Sequence, residues 1–239
     1  MRVAEQLILS HLRPRPDARL GDFAGDSYAA LVVAAEDLLR SGGLLYVHGG
    51  KGTGRSHLLA ALCAAGELQG LQTVMVPLAD LADAAPAVLS GLEEADLVVL
   101  DDVQAMAGSR DWEEALFHLI NRCQARGGRM AFAADALPRD LGLALPDLVS
   151  RLAQAPAWAM GVPDDASRER LVAAAAERRG WVLETEVLRY LVARVPREPG
   201  RLLACLEELD RRSLQEGRRL TIPFVREWLD LPADRRVPD

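Results

Sequence analysis

The sequence predicts an α/β core, built on a five-stranded parallel sheet covered by helices, followed by a small all-helical domain. Three observations carry this. Short apolar runs alternate with helix-like stretches as far as Met160, the pattern of strands buried on both faces of a parallel sheet. After Pro163 the strand-like runs stop and only helical periodicity continues. The first strand-like run leads into a glycine-rich loop and then a helix, the order of a phosphate-binding crossover.

The elements follow in order. Residues 1–20 hold a short apolar cluster and then Arg13-Pro14-Arg15-Pro16, which cannot continue a helix, so they are expected to form a flexible tail, with structure starting near Phe23. Ser27 is the expected N-cap of a helix over Tyr28 to Arg40, ended by Gly42 and Gly43. Strands are predicted at Leu44–Val47, Val74–Val76, Leu97–Leu100, Met130–Ala133 and around Ala157 to Met160. Helices are predicted at Ser56 to Glu67 and Trp112 to Arg126, with a short amphipathic one over Pro146 to Leu152. Four more helices are expected at 165–179, 185–194, 198–215 and 222–229. The predicted organisation is a tail over 1–20, the α/β domain over 21–162 and the helical domain over 163–239.

Composition narrows the function. Of 239 residues, 50% are hydrophobic and 26% charged, ordinary globular usage with ample material for a core. A net charge of -7 supplies no basic field, so contact with DNA is expected to be mostly indirect. Cys63, Cys123 and Cys205 are far apart and lack metal-ligand spacing, so they read as reduced core thiols. No apolar run approaches the roughly 18 to 20 residues needed to cross a bilayer, and no signal peptide is apparent, so a cytoplasmic protein without a membrane partner is expected.

Gly49-Gly50-Lys51-Gly52-Thr53-Gly54-Arg55-Ser56 matches GxxxxGK[ST], except that arginine stands where lysine is usual. The glycines let backbone N–H groups turn toward phosphate oxygens, the helix start adds partial positive charge, and Ser56 can ligate Mg2+. His57, next in line, is counted with the nucleotide contacts. Arginine's planar fork cannot take the place of a compact ammonium, so nucleotide binding is expected to survive and hydrolysis to be weakened. Lys51 is the sole lysine of the chain. Asp101 and Asp102 end a strand-like run about fifty residues downstream, the position of a metal-side carboxylate (Asp101) and a water-polarising one (Asp102). Asp135, at the end of the next strand, is placed to sense the terminal phosphate.

These residues resemble an AAA+ module of the DnaA branch, and more closely the DnaA regulatory inactivator (Hda) family. The resemblance rests on GGKGTGRSHLLAA at 49–61, LVVLDDVQAMAG at 97–108, WEEALFHLINR at 112–122, LPDLVSRL at 145–152 and LTIPFVREWL at 220–229. It implies that Gly49 to Ser56 bind ADP (or ATP) with Mg2+, and that Arg151 acts as an arginine finger on nucleotide held by DnaA. Arg197, or Arg201 one turn later, is implied as the lid arginine that contacts the chain's own nucleotide. Gln6-Leu7-Ile8-Leu9 followed by Leu12 is similar to the family's peptide for docking on the DNA-loaded sliding clamp of the replicase, with the last anchor one residue late. The implied function is a negative regulator of replication initiation, an activator of DnaA's ATPase more than a strong ATPase itself, associated with the replisome and able to self-associate. DnaA itself is longer and ends in a helix-turn-helix domain with no counterpart before Asp239, which favours the regulator. The alternative is an ATP-hydrolysing helicase-loading or DnaA-like initiation protein.

Overall fold

The computed structural model describes residues 18–23, 26–81, 83–181 and 183–231. By contacts the described residues divide into two units, one within 18–20, 26–51 and 55–161, the other within 21–23, 52–54 and 162–231.

In the first unit the expected elements appear, with small shifts at their ends. Helix α1 (Asp26–Ser41) leads into strand β1 (Gly43–His48); then come α2 (Arg55–Leu68), β2 (Thr73–Pro77), β3 (Leu97–Asp101), α3 (Arg110–Ala125), β4 (Arg129–Ala134), α4 (Pro146–Leu152) and β5 (Ala157–Ala159). The first helix begins at Asp26, so Ser27 lies within it and is not its cap. All strands are parallel, in the order β2-β3-β4-β1-β5. Consecutive strands are joined through helical segments, as parallel pairing requires. Every residue of β3 is buried, which explains why its sequence is a run of aliphatics rather than an alternation.

The topology fixes where chemistry can happen. β1 and β3 lie on either side of β4, and their carboxyl ends carry the glycine-rich loop and the acidic pair. Open parallel sheets present ligands with the loops at this edge. Under it, Tyr46, Val98, Leu100, Met130, Phe132, Leu116, Ile120 and Leu148 form one apolar cluster. Ordered contacts of this density hold the strand ends, and so the site, in a fixed arrangement.

The second unit is helical: α5 (Asp165–Arg178), α6 (Thr185–Val192), α7 (Pro199–Glu216) and α8 (Ile222–Leu229). Its local signals are those of the sequence. Asp164 caps α5 by accepting the Ser167 N–H at 2.7 Å. Pro199 occupies the first turn of α7, and Gly217 ends it at φ +61°. Leu171, Val187, Leu191, Leu206, Phe224 and Trp228 build its core. Arg168 is buried there, donating to the Asp165 carboxylate at 2.9 Å and to the Val195 and Pro196 carbonyls at 3.0 and 3.3 Å. Asp22, from the short 3-10 turn Leu20–Asp22, pairs with Arg178 at 2.7 Å in the same unit.

All three cysteines are buried, and none is in a disulfide. Burial pushes the Cys63 thiol up to about 12 and the Cys123 thiol up to about 11, so neither offers a thiolate. Among the described residues no helix is long and apolar enough to cross a membrane.

Candidate functional site: a phosphate loop with its lysine position rewired

The loop over Gly49–Gly54 leaves β1 and feeds straight into α2, whose first residue is Arg55. Two of its glycines are obligatory on conformational grounds: Gly52 and Gly54 have φ of +83° and +94°, where a side chain is strained. The Gly49 N–H donates to the Ala134 carbonyl at 3.2 Å, anchoring the loop to β4. Thr53 and His57 are buried, whereas Lys51 and Ser56 are exposed.

Arg55 does not reach outward. Its guanidinium turns back across the loop, donating to the Gly49 carbonyl and, at 3.1 Å, to the Asp102 carboxylate. The Arg55 side chain is only 11% exposed, so the ion pair is sheltered from solvent and less screened than a surface pair. Asp102 stands at φ +53°, a left-handed conformation that aspartate tolerates better than most residues. That bend turns its carboxylate toward Arg55 and toward Gln104, whose amide donates to the same oxygen at 2.8 Å.

Asp101 is buried, and its carboxylate accepts the Asp102 N–H at 2.9 Å. Burial pushes its carboxyl above the ordinary carboxylate range; a hydrogen bond with the Ser56 side chain opposes the shift. The two residues assigned to the metal from sequence are therefore side by side. A hydroxyl and a carboxylate are hard oxygen donors of the kind Mg2+ takes, with water and phosphate oxygens completing its shell. Among the described residues no cluster of three or more His, Cys, Asp or Glu is placed to hold a metal.

Asp135 is exposed at the end of β4, and its backbone N–H donates to Gln104 Oε1 at 3.2 Å. Gln104 thus ties the end of β3 to the end of β4, a role that no motif marked. Tyr46 was also missed. It is fully buried in β1, donates to the Ala136 carbonyl at 2.8 Å, and its hydroxyl is held protonated by burial first and by Asp135 second.

Arg151 lies on α4, half-buried, its guanidinium within 3.4 Å of Gln124 Oε1 and 3.5 Å of Gln154 Oε1. Among the described residues no carboxylate pairs with it. In the second unit Arg197 and Arg201 are mostly exposed and meet Asp165 and Glu198 only at 3.9 Å each.

Residues 164–229 match the family model described as Hda, lid domain, and residues 81–158 match the one described as the bacterial DnaA ATPase domain. Both models come from the Hda/DnaA branch of AAA+ proteins, one matching the helical unit and the other part of the α/β unit. Solved structures agree on the fold. Domain III of the Thermotoga maritima replication initiation protein DnaA superposes with a TM-score of 0.72 at 22% identity, covering 91% of this chain and 99% of that one. AMPPCP-bound DnaA from Aquifex aeolicus gives 0.66 at 21% identity over 85% of this chain and 71% of that one. DnaI gives 0.54 at 17% identity over 61% and 92%. The two matches support a DnaA-related AAA+ protein of replication initiation or its regulation. Gln6, Leu7, Leu9 and Leu12, expected from sequence to dock on the clamp, lie outside the described residues.

Proposed function

We propose that this chain is a nucleotide-bound regulator of the DnaA initiator: holding ADP and Mg2+, and docked on the DNA-loaded sliding clamp through Gln6, Leu7, Leu9 and Leu12, it stimulates hydrolysis of DnaA-bound ATP through Arg151. The observation that carries the reading is the Arg55–Asp102 ion pair. A cation at the lysine position of a phosphate loop ordinarily faces the terminal phosphates, and a carboxylate at the place of Asp102 polarises the attacking water. Here each occupies the other. Backbone N–H groups of the loop and the start of α2 remain to bind phosphate oxygens, so the site is suited to hold nucleotide and poorly suited to cleave it.

Mg2+ supplies neutralisation of phosphate charge when bound by Ser56 and Asp101. Asp135 and Gln104, linked across β3 and β4, shape the far side of the same edge. Arg151, with no carboxylate partner among the described residues, stands on a short helix, where its guanidinium is placed to be lent to phosphate oxygens in another molecule. An arginine supplied in trans is worth about a thousandfold or more in rate, because it offsets the charge of the transferring phosphoryl group. Arg197 and Arg201 are the candidate lid contacts to the chain's own nucleotide.

The test is hydrolysis of DnaA-bound ATP measured with this protein, loaded clamp and ADP, each omitted in turn. The expected result is stimulation that needs all three and is lost in Arg151→Ala, with ADP and clamp binding retained. Brisk ATP turnover by the chain alone, without DnaA, would instead place it with the ATP-hydrolysing helicase-loading or initiation proteins.

A further inference from the structure

Glu113 is a carboxylate with no exposure at all, and among the described residues no cation pairs with it. Its two oxygens are taken up by backbone. Oε1 accepts the Gly108 N–H at 2.8 Å and the Ala144 N–H at 3.1 Å; Oε2 accepts the Leu145 N–H at 2.6 Å. Removing a carboxylate from water is costly unless every lone pair finds a donor, and an apolar side chain at this point of α3 would seal the core without that cost. What the carboxylate adds is geometry, because three charge-assisted hydrogen bonds fix three separate backbone positions at once.

Those positions belong to two loops. Gly108 closes the segment that leaves β3 after the 3-10 turn Val103–Met106, which carries Gln104. Ala144 and Leu145 close the segment that leaves β4, and Leu145 is the residue on which α4 begins. β3 and β4 are neighbours in the sheet, so both loops rise from the same edge, with Glu113 between them. Helix α4 has seven residues, too few to hold its own direction by internal hydrogen bonds. Its entry is set at Leu145, and Leu148 and Leu152, both fully packed, set its rotation. Arg151 is six residues beyond the anchored amide.

We propose that Glu113 is a positioning residue for Arg151: its buried carboxylate clamps the start of α4 to the loop after β3 and thereby fixes where the Arg151 guanidinium is presented. The inference rests on Arg151 acting on a partner's nucleotide. It also links α4 to the acidic strand end, since the loop clamped at Gly108 is the one that orients Gln104, Asp102 and Asp135.

Two measurements test it. Residue-resolved amide exchange on the wild-type, ADP-bound chain is expected to show the Gly108, Ala144 and Leu145 amides exchanging about a hundredfold slower than their loop neighbours; exchange as fast as those neighbours would overturn the clamp and needs no variant to fold. Glu113→Gln then replaces an acceptor oxygen by an amide that faces N–H groups. Maximal stimulation of DnaA-bound ATP hydrolysis is expected to fall about tenfold or more, since misplacement near 1 Å is enough for that. ADP affinity and the protein concentration giving half-maximal stimulation are expected to stay at wild-type values, which a general folding defect would not allow. Full stimulation by Glu113→Gln alongside an inactive Arg151→Ala would refute the positioning role alone. A fully active Arg151→Ala would refute the finger, and the role of Glu113 with it.

Discussion

Arg55 Nη2 lies 3.1 Å from Asp102 Oδ1, and Asp102 is the only described residue other than glycine in the left-handed region of backbone space. The pairing joins the two motifs that define a phosphate-cleaving site and ties up one group from each. The arginine's fork reaches two acceptors, the Gly49 carbonyl and the Asp102 carboxylate, that a single ammonium would not bridge in the same way.

Arg55→Lys should therefore release Asp102 and restore a point charge to the loop. Single-turnover hydrolysis of ATP by the isolated chain is expected to rise by about tenfold or more, the order that one properly placed charge or base contributes. ADP affinity should change only a few-fold, because the backbone donors are untouched. An unchanged cleavage rate would mean that the ion pair is not what suppresses turnover.

The tail makes a separable prediction. Changing Gln6, Leu7 and Leu9 together to alanine removes a glutamine and two aliphatic anchors, the residues that would bury in a pocket on the clamp. Clamp binding by surface plasmon resonance should disappear while ADP binding persists. Clamp affinity at the wild-type level would move the docking site elsewhere in the chain.

How far the sequence foretold this is clearest residue by residue. The strands of the core were readable because β3 and β4 are buried on both faces, which forces continuous runs such as Leu97-Val98-Val99-Leu100. Gly49 to Ser56, Asp101 and Asp102 stand out in the sequence as candidates because a phosphate loop and its acidic strand end have fixed local spacing. Gln104, Tyr46 and Glu113 do not. Each acts through partners 31, 90 and 32 positions away in sequence, and only the order of strands in the sheet brings those together. The boundary of the first helix failed for a local reason: Ser27 has the chemistry of a cap, but the helical backbone already starts at Asp26.

In the helical unit, Asp164→Ala should lower the melting temperature at neutral pH by removing the cap on α5. The Ser167 N–H holds the Asp164 carboxyl below its ordinary value of 3.8. A carboxylate depressed on folding adds stability above its unfolded value, and that stability is lost as pH falls through the folded one. The wild-type advantage should accordingly be full above about pH 5 and vanish under strong acid. Thermal scans across pH would show it; a gap that grows on acidification would contradict the assignment.

Trp228→Ala tests the packing of the same unit. Trp228 is 1% exposed among Phe224, Leu206 and other apolar neighbours, and truncating such a residue costs about 3 to 5 kcal/mol. Denaturant unfolding followed by far-ultraviolet circular dichroism should register the loss. A cost below about 1 kcal/mol would mean that the site collapses to fill the void.

With arginine supplying every other cationic side chain, the exposed ammonium of Lys51 is the one primary amine that any side chain of this protein offers. An acylating dye should therefore mark the phosphate loop and, apart from the chain's amino terminus, nothing else. Protection of that mark by an occupant would make the loop its own occupancy gauge, readable by mass without engineering a label.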